Sequence, residues 1–318
     1  MKNLFHRHLL LKLIFILAVF LLSVNGHSQA ATAPDAIAFR VMRNDDYLSP
    51  LRWYQNNNFK GVPQALTVDG YEAVRDGRTV YVNAANIDLI NGHCSNNKQT
   101  ACSVSGNNCF GGTCTPNFYS NIYIISFNQE AESQTVNIFG LILSRWKFNT
   151  NLTKDQKDKV RRDTKRLADL ADIKIVLDNY QKNHNGDYPN LAAGSYVAGK
   201  SLSVWPSWQA TLGKELTIIL PLDPKNELGS CPGGYDAKTC WNQTAKKFVN
   251  PIPANSRAYI YTYNGAKSYN ICALMESGYL TDLAQGACAG SAVGHTVTRA
   301  STTRTPNVNP ATICANRR

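Results

Sequence analysis

Between Val160 and Tyr180, apolar and small side chains recur at three- and four-residue spacing: Val160, Thr164, Leu167, Leu170, Ala171, Ile173, Leu177 and Tyr180. That is one stripe of a helix buried along one side. Thr153 is placed to cap its start, and Asn185-Gly186, followed shortly by Pro189, stops it. A period of two marks other stretches. Ala36 to Met42 puts Ile37, Phe39 and Val41 on one strand face, and Ile122 to Phe127 is dominated by β-branched and aromatic residues. Tyr71 to Arg75 and Arg78 to Val82 flank Asp76-Gly77, a dipeptide preferred in tight hairpins. Ser49 followed by Pro50 opens a brief helix reaching Gln55. Glu130 to Trp146 holds Val136, Ile138, Phe139, Leu141, Ile142, Leu143 and Trp146, which predicts a helix buried over a broad face.

Strands and helices without regular alternation define an α+β fold. The expected organisation is a leader over 1–30, an α+β domain over 31–150 and a second α+β domain over 151–282. A flexible tail over 283–318, poor in apolar residues, completes it. The first domain carries a cysteine-rich loop over 93–116, and the polar run Asn149-Thr150-Asn151-Leu152 is the expected junction. Near the end of the second, Tyr259 to Tyr263 and Ser268 to Met275 flank Asn264-Gly265 as another hairpin.

Composition adds a compartment. Lys2, His6, Arg7, His8 and Lys12 precede an apolar run from Leu13 to Leu22, and Ser28-Gln29-Ala30 ends in small residues, so a signal peptide cleaved after Ala30 is expected. The alternative is an uncleaved single-pass anchor spanning Leu9 to Val24. All nine cysteines lie beyond the leader: Cys94, Cys102, Cys109, Cys114, Cys231, Cys240, Cys272, Cys288 and Cys314. Export and this count make each a disulfide candidate, with an odd one left over. The four in the 93–116 loop allow three pairings that the sequence does not choose among; a zinc site with His93 competes, but lacks the tight Cys-x2-Cys hook. The formal charge of +11 falls to +8 beyond Lys2, Arg7 and Lys12. Acids interleaved with bases along the helix read as solvation, and no nucleic-acid motif appears.

A search for chemistry finds no Gly-x-Ser-x-Gly elbow, phosphate loop or His-Glu-x-x-His. His184 is placed at a helix end. Glu72 and Asp76 flank a hairpin as an exposed strand residue and a turn residue, and Cys272 sits in a strand pattern. No catalytic, cofactor or metal residue is assigned, and the protein is expected not to be an enzyme. Trp53, Trp205, Trp208 and Trp241 serve either as core or as the lining of a glycan or peptide groove.

One family resemblance rests on particular residues. Arg162-Asp163-Thr164-Lys165-Arg166-Leu167-Ala168-Asp169-Leu170, with Ile173, Leu177 and Tyr180, leads into Asn185-Gly186-Asp187-Tyr188-Pro189, and Leu220-Pro221-Leu222-Asp223-Pro224 follows. Over residues 153–276 this resembles the globular domain of type II secretion major pseudopilins and type IV pilin-like proteins. The resemblance implies a long helix packed on a small antiparallel sheet. The prepilin-peptidase pattern is missing: Gly26-His27-Ser28 does not open a hydrophobic helix with Glu at its fifth position. The family's calcium ligands are not carried over either, since Asp223, Asn226, Glu227 and Asp236 lie in a different loop. The expectation is an exported, surface or secreted protein with a structural or adhesive role. Alternatives are an accessory component of a type II secretion or type IV pilus system, and a secreted hydrolase. Expected partners are pilin-like or cell-surface proteins or a glycan, with no nucleic acid, and a membrane only if the leader stays uncleaved.

Overall fold

The computed structural model describes residues 35–94, 102–106, 109, 114–265 and 268–279. The leader with Ala30, the 283–318 tail, Cys288 and Cys314 lie outside them. The fold is α+β. Its larger sheet is antiparallel, with strand order β1-β6-β4-β3-β2: β1 (Ile37–Arg43), β2 (Gln64–Val68), β3 (Tyr71–Asp76), β4 (Thr79–Cys94) and β6 (Cys114–Phe127). A short β5 (Cys102–Ser103) pairs with β4. The hairpin expected at Asp76-Gly77 forms one residue further on: Asp76 lies opposite Thr79, so Gly77 and Arg78 make the turn. β2 was not legible from the sequence. It pairs with β3 through the turn at Asp69 and Gly70, both with positive φ.

Strand parity assigns the helices to faces. Val74, Tyr81 and Ile122 point to one side and pack with Trp53 and Tyr54 of α1 (Pro50–Asn56), which Ser49 caps by accepting the Arg52 N–H. Val80 and Ile125 point to the other, where α2 (Ser133–Arg145) crosses and Phe139 meets Phe127 edge-on at 5.0 Å. The expected broad burial of α2 is corrected: of its thirteen residues Phe139 alone is buried. Val136, Ile138 and Leu141 are exposed among the described residues.

α3 (Lys154–Asn183) begins at a capping box, Thr153 with Gln156, and ends where Asn185 and Gly186 adopt positive φ. It returns on the α1 side of the sheet, with Ala171 and Ile175 against the α1 cluster and the Ser49 hydroxyl donating to Asp172 at 2.7 Å. Its other side meets a three-stranded antiparallel sheet, order β11-β10-β7, built of β7 (Lys200–Leu202), β10 (Ile260–Tyr263) and β11 (Tyr269–Cys272). The stripe was expected against this smaller sheet alone. Instead Val160, Leu167, Leu170, Ile173 and Leu177 fall in one contiguous core with Tyr71, at the start of β3 in the larger sheet, and with Tyr259, Tyr261 and Ile271 of the smaller. A π-helical turn, Trp208–Gly213, buries Trp208 beneath α3, and a minimal hairpin of β8 (Trp241–Asn242) and β9 (Lys247–Phe248) completes the described chain. Trp53, Trp205, Trp208 and Trp241 are all buried, so they line no open groove.

The loop cysteines pair as Cys94–Cys109 and Cys102–Cys114, and Cys231 pairs with Cys240. Cys272 is also disulfide-bonded. The Sγ atoms of Cys94, Cys102 and Cys109 lie within 4.8 Å of one another, but both disulfides consume the thiolates that a zinc site would need. The side chain of His93 lies outside the described residues. At this tip β4 and β6 approach so closely that a Cβ on Gly92 would fall 2.1 Å from the Thr115 carbonyl oxygen, which only glycine avoids.

Candidate functional site

Because α3 is covered from both sides, its charged residues cannot all face water. Asp163 and Arg166 have no exposed side-chain surface. The Arg166 guanidinium donates to both oxygens of Asp223, at 2.6 and 2.9 Å, and to Asp163 at 2.8 Å. It also meets Glu276 at 2.7 Å, and Arg162 donates to both Glu276 oxygens at 2.8 and 2.7 Å. Asp163 accepts the backbone N–H groups of Glu276 and Ser277. Burial alone would weaken the charge on Arg166, but Asp223, Asp163 and Glu276 reverse this and raise its pKa. Burial pushes Glu276 up, yet Arg162 and Arg166 outweigh it and bring its carboxyl down to about 2. The interleaved charges expected to be solvated are thus the ionic centre of the protein.

These contacts also join the motifs singled out in the sequence. Arg166 of the helix run is locked to Asp223 of Leu-Pro-Leu-Asp-Pro. Tyr188 of Asn-Gly-Asp-Tyr-Pro is buried against Tyr269, ring centroids 4.5 Å apart, and the Tyr261 hydroxyl donates to the Pro189 carbonyl at 2.7 Å. Asp223 has its carboxylate occupied by Arg166, and Asp236 folds back on the N–H groups of Lys238 and Thr239.

A second group of contacts lines a cleft of about 180 Å³ between α3 and the larger sheet, bounded by Tyr71, Glu72, Asn83, Arg161, Arg162 and Lys165. Lys165 donates to Glu72 at 2.6 Å and to Asp169 at 3.0 Å. Tyr259 donates to the other Asp169 oxygen at 2.6 Å. Burial is the leading influence on Asp169 and raises its carboxyl to about 6, because one lysine shared with Glu72 only partly offsets it. Arg161 lies over the Tyr71 ring and reaches Asp69 at 2.8 Å, while its buried Nε has no partner among the described residues. Asp69 also receives Lys147, Lys157 and the Phe148 N–H. Although burial pushes Asp69 up, the Phe148 N–H, Arg161 and Lys147 hold it below the usual carboxylate range. Asn83 is oriented by the Ser120 hydroxyl at 2.6 Å and by Asn44.

The cleft's carboxylate, Glu72, already accepts from Lys165, and no histidine lines it. The structure does not bring Glu72 and Asp76 together: Asp76 accepts from the Tyr54 hydroxyl at 2.6 Å. His184 stacks on Tyr180 at the end of α3, ring centroids 3.6 Å apart. Sequence reasoning missed Asp69, Asp163 and Glu276. The signals were present as Asp69-Gly70, a second hairpin dipeptide, and as Asp163, Arg166 and Asp169 recurring every third residue along one helix face. No protein-family model, curated protein or solved structure matches the chain.

Proposed function

We propose that this is an exported, non-catalytic surface or secreted protein with a structural or adhesive role, built on a pseudopilin-like unit over residues 153–276. The observation that carries this reading is the tip of the β4–β6 hairpin, where two disulfides staple a polar excursion between the strands. Such bonds persist in oxidising compartments, and a stapled polar tip is suited to presentation. The ion-paired state of Glu72 supports a binding role for the cleft over a hydrolytic one. No helix among the described residues is long and apolar enough to cross a membrane.

Intact mass of the protein recovered from cells, before and after reduction, tests export. The expected mass starts at Ala31 and rises on reduction by the hydrogens of the three pairs plus that of Cys272. A fully reduced protein recovered from the cytoplasm would end the proposal. A second reading, an accessory component of a type II secretion or type IV pilus system, is favoured by the interlocked unit of α3 and the β11-β10-β7 sheet. Crosslinking in cells followed by copurification should then recover pilin-like subunits, and their absence removes that reading.

A further inference from the structure

Among the described residues, five of the twelve exposed large apolar side chains, Phe39, Val41, Val136, Ile138 and Leu141, lie on β1 and α2. α2 has no charged side chain from Ser133 to Ser144. Ile138 and Leu141 are 43% and 52% exposed, and Phe39 and Val41 of β1 are 51% and 55% exposed. Phe39 stacks on Trp146 at 5.4 Å, which makes strand and helix one continuous surface. A helix that met only water on its outer side would carry charge there, and a contiguous apolar face marks a contact surface.

Two further features say what covers it. α2 runs out into Arg145-Trp146, a cation beside an indole, the combination that settles at the headgroup level of a bilayer; the next residue, Lys147, is held by Asp69. The chain also arrives at this face from its apolar leader. Asp35, the first described residue, accepts from the Thr135 hydroxyl at 2.5 Å, and the 34 residues before it include the run from Leu13 to Leu22. A retained anchor would enter the membrane beside α2; a cleaved one would leave the same face free. A second copy paired along the open edge of β1 would also cover the apolar residues, but it explains neither the Arg145-Trp146 end nor the attachment of the apolar leader sequence at Asp35.

We infer that the face formed by α2 and β1 rests on a lipid bilayer, with α2 in the interfacial plane. Ile138, Leu141, Phe39 and Val41 reach the acyl boundary, and Arg145 meets lipid phosphates, while Lys147 stays on Asp69. This goes beyond the proposed surface role by stating how the folded part sits, whether or not the leader anchors it.

Trp146 is a built-in reporter, because Trp53, Trp205, Trp208 and Trp241 are buried. The full chain is reconstituted into phosphatidylcholine–phosphatidylglycerol vesicles containing brominated lipid. Trp146 emission is read as the difference from W146F. The expected result is that this emission is largely quenched, and that the double variant I138D/L141D restores it while circular dichroism stays unchanged. I219D, altering a side chain 92% exposed elsewhere, should leave the quenching in place. All these variants keep the leader, so its own insertion cannot produce the difference. The inference is overturned by unquenched Trp146, by equal quenching in I138D/L141D, or by loss of quenching in I219D. It is equally overturned if α2 amides gain protection from hydrogen exchange as protein concentration rises without lipid, which would identify a second copy as the occupant.

Discussion

Asp169 and Glu276 sit on the same ionic spine and titrate in opposite directions. Glu276 has a folded pKa of about 2 against an ordinary value of 4.5. The folded state therefore binds fewer protons between those limits, and the stability it contributes, present above about pH 4.5, is lost as pH falls through about 2. Asp169 has a folded pKa of about 6 against 3.8. Here the folded state binds more protons, so stability falls as pH rises from about 4 to 6, by about 3 kcal/mol at most. Denaturant midpoints measured across pH should show this decline, and D169N should flatten it. A wild-type profile that is level from pH 4 to 6 would contradict the assignment. R166M should be among the most damaging single changes, costing about 3–5 kcal/mol, because it strands Asp163, Asp223 and Glu276 without their shared cation. R162M should cost less, since Arg162 is a quarter exposed and Glu276 keeps Arg166. The recurrence of Asp163, Arg166 and Asp169 along one helix face was legible in the sequence, but their burial was not. Charged residues at helical spacing look alike whether they face water or a second sheet.

At the scale of elements, turns were read where their dipeptides stood between clear alternating runs, as at Asp76-Gly77 and Asn264-Gly265. Asp69-Gly70 escaped because Gln64–Val68 alternates weakly and ends at its own turn. That turn now has a measurable role. Gly70 has φ +78°, and a Cβ there would lie 3.3 Å from the Arg161 side chain. G70A should cost about 1–2 kcal/mol and displace Arg161 from Tyr71. G77A, with nothing within 4 Å of its new methyl, should cost only the backbone strain. Equal losses in thermal unfolding would show that the Arg161 contact adds nothing. The misjudged burial of α2 has a different cause. Counting apolar residues gives the capacity to be buried, whereas the presence of a layer on each side is a property of the assembled chain.

For the whole molecule, the chief consequence is that α3 is shared. Its residues take part in one core with both sheets, and Ser49 and Glu72 of the larger sheet's side reach it by hydrogen bonds. Near-ultraviolet signals and Trp fluorescence should therefore melt in one coincident transition. Two resolved transitions, one for the larger sheet and one for the smaller, would show that the shared core is not cooperative. A fragment beginning at 151 should expose the Ala171 and Ile175 side of α3 and lose stability or self-associate.

The sequence by itself determined the α+β class, the limits of α3 through its Thr153 cap and Asn-Gly stop, and two hairpins. Those features depend on neighbours within a few residues, and local periodicity and turn chemistry carry them. Tertiary structure alone decided which disulfides form in the 93–116 loop, since four cysteines close in sequence allow every pairing. It alone decided that Arg166 meets Asp223, 57 positions further along the chain, that α3 is packed on two sides, and that α2 keeps an apolar face exposed among the described residues. Each of these depends on what lies opposite a side chain, and a linear pattern records only the side chain itself.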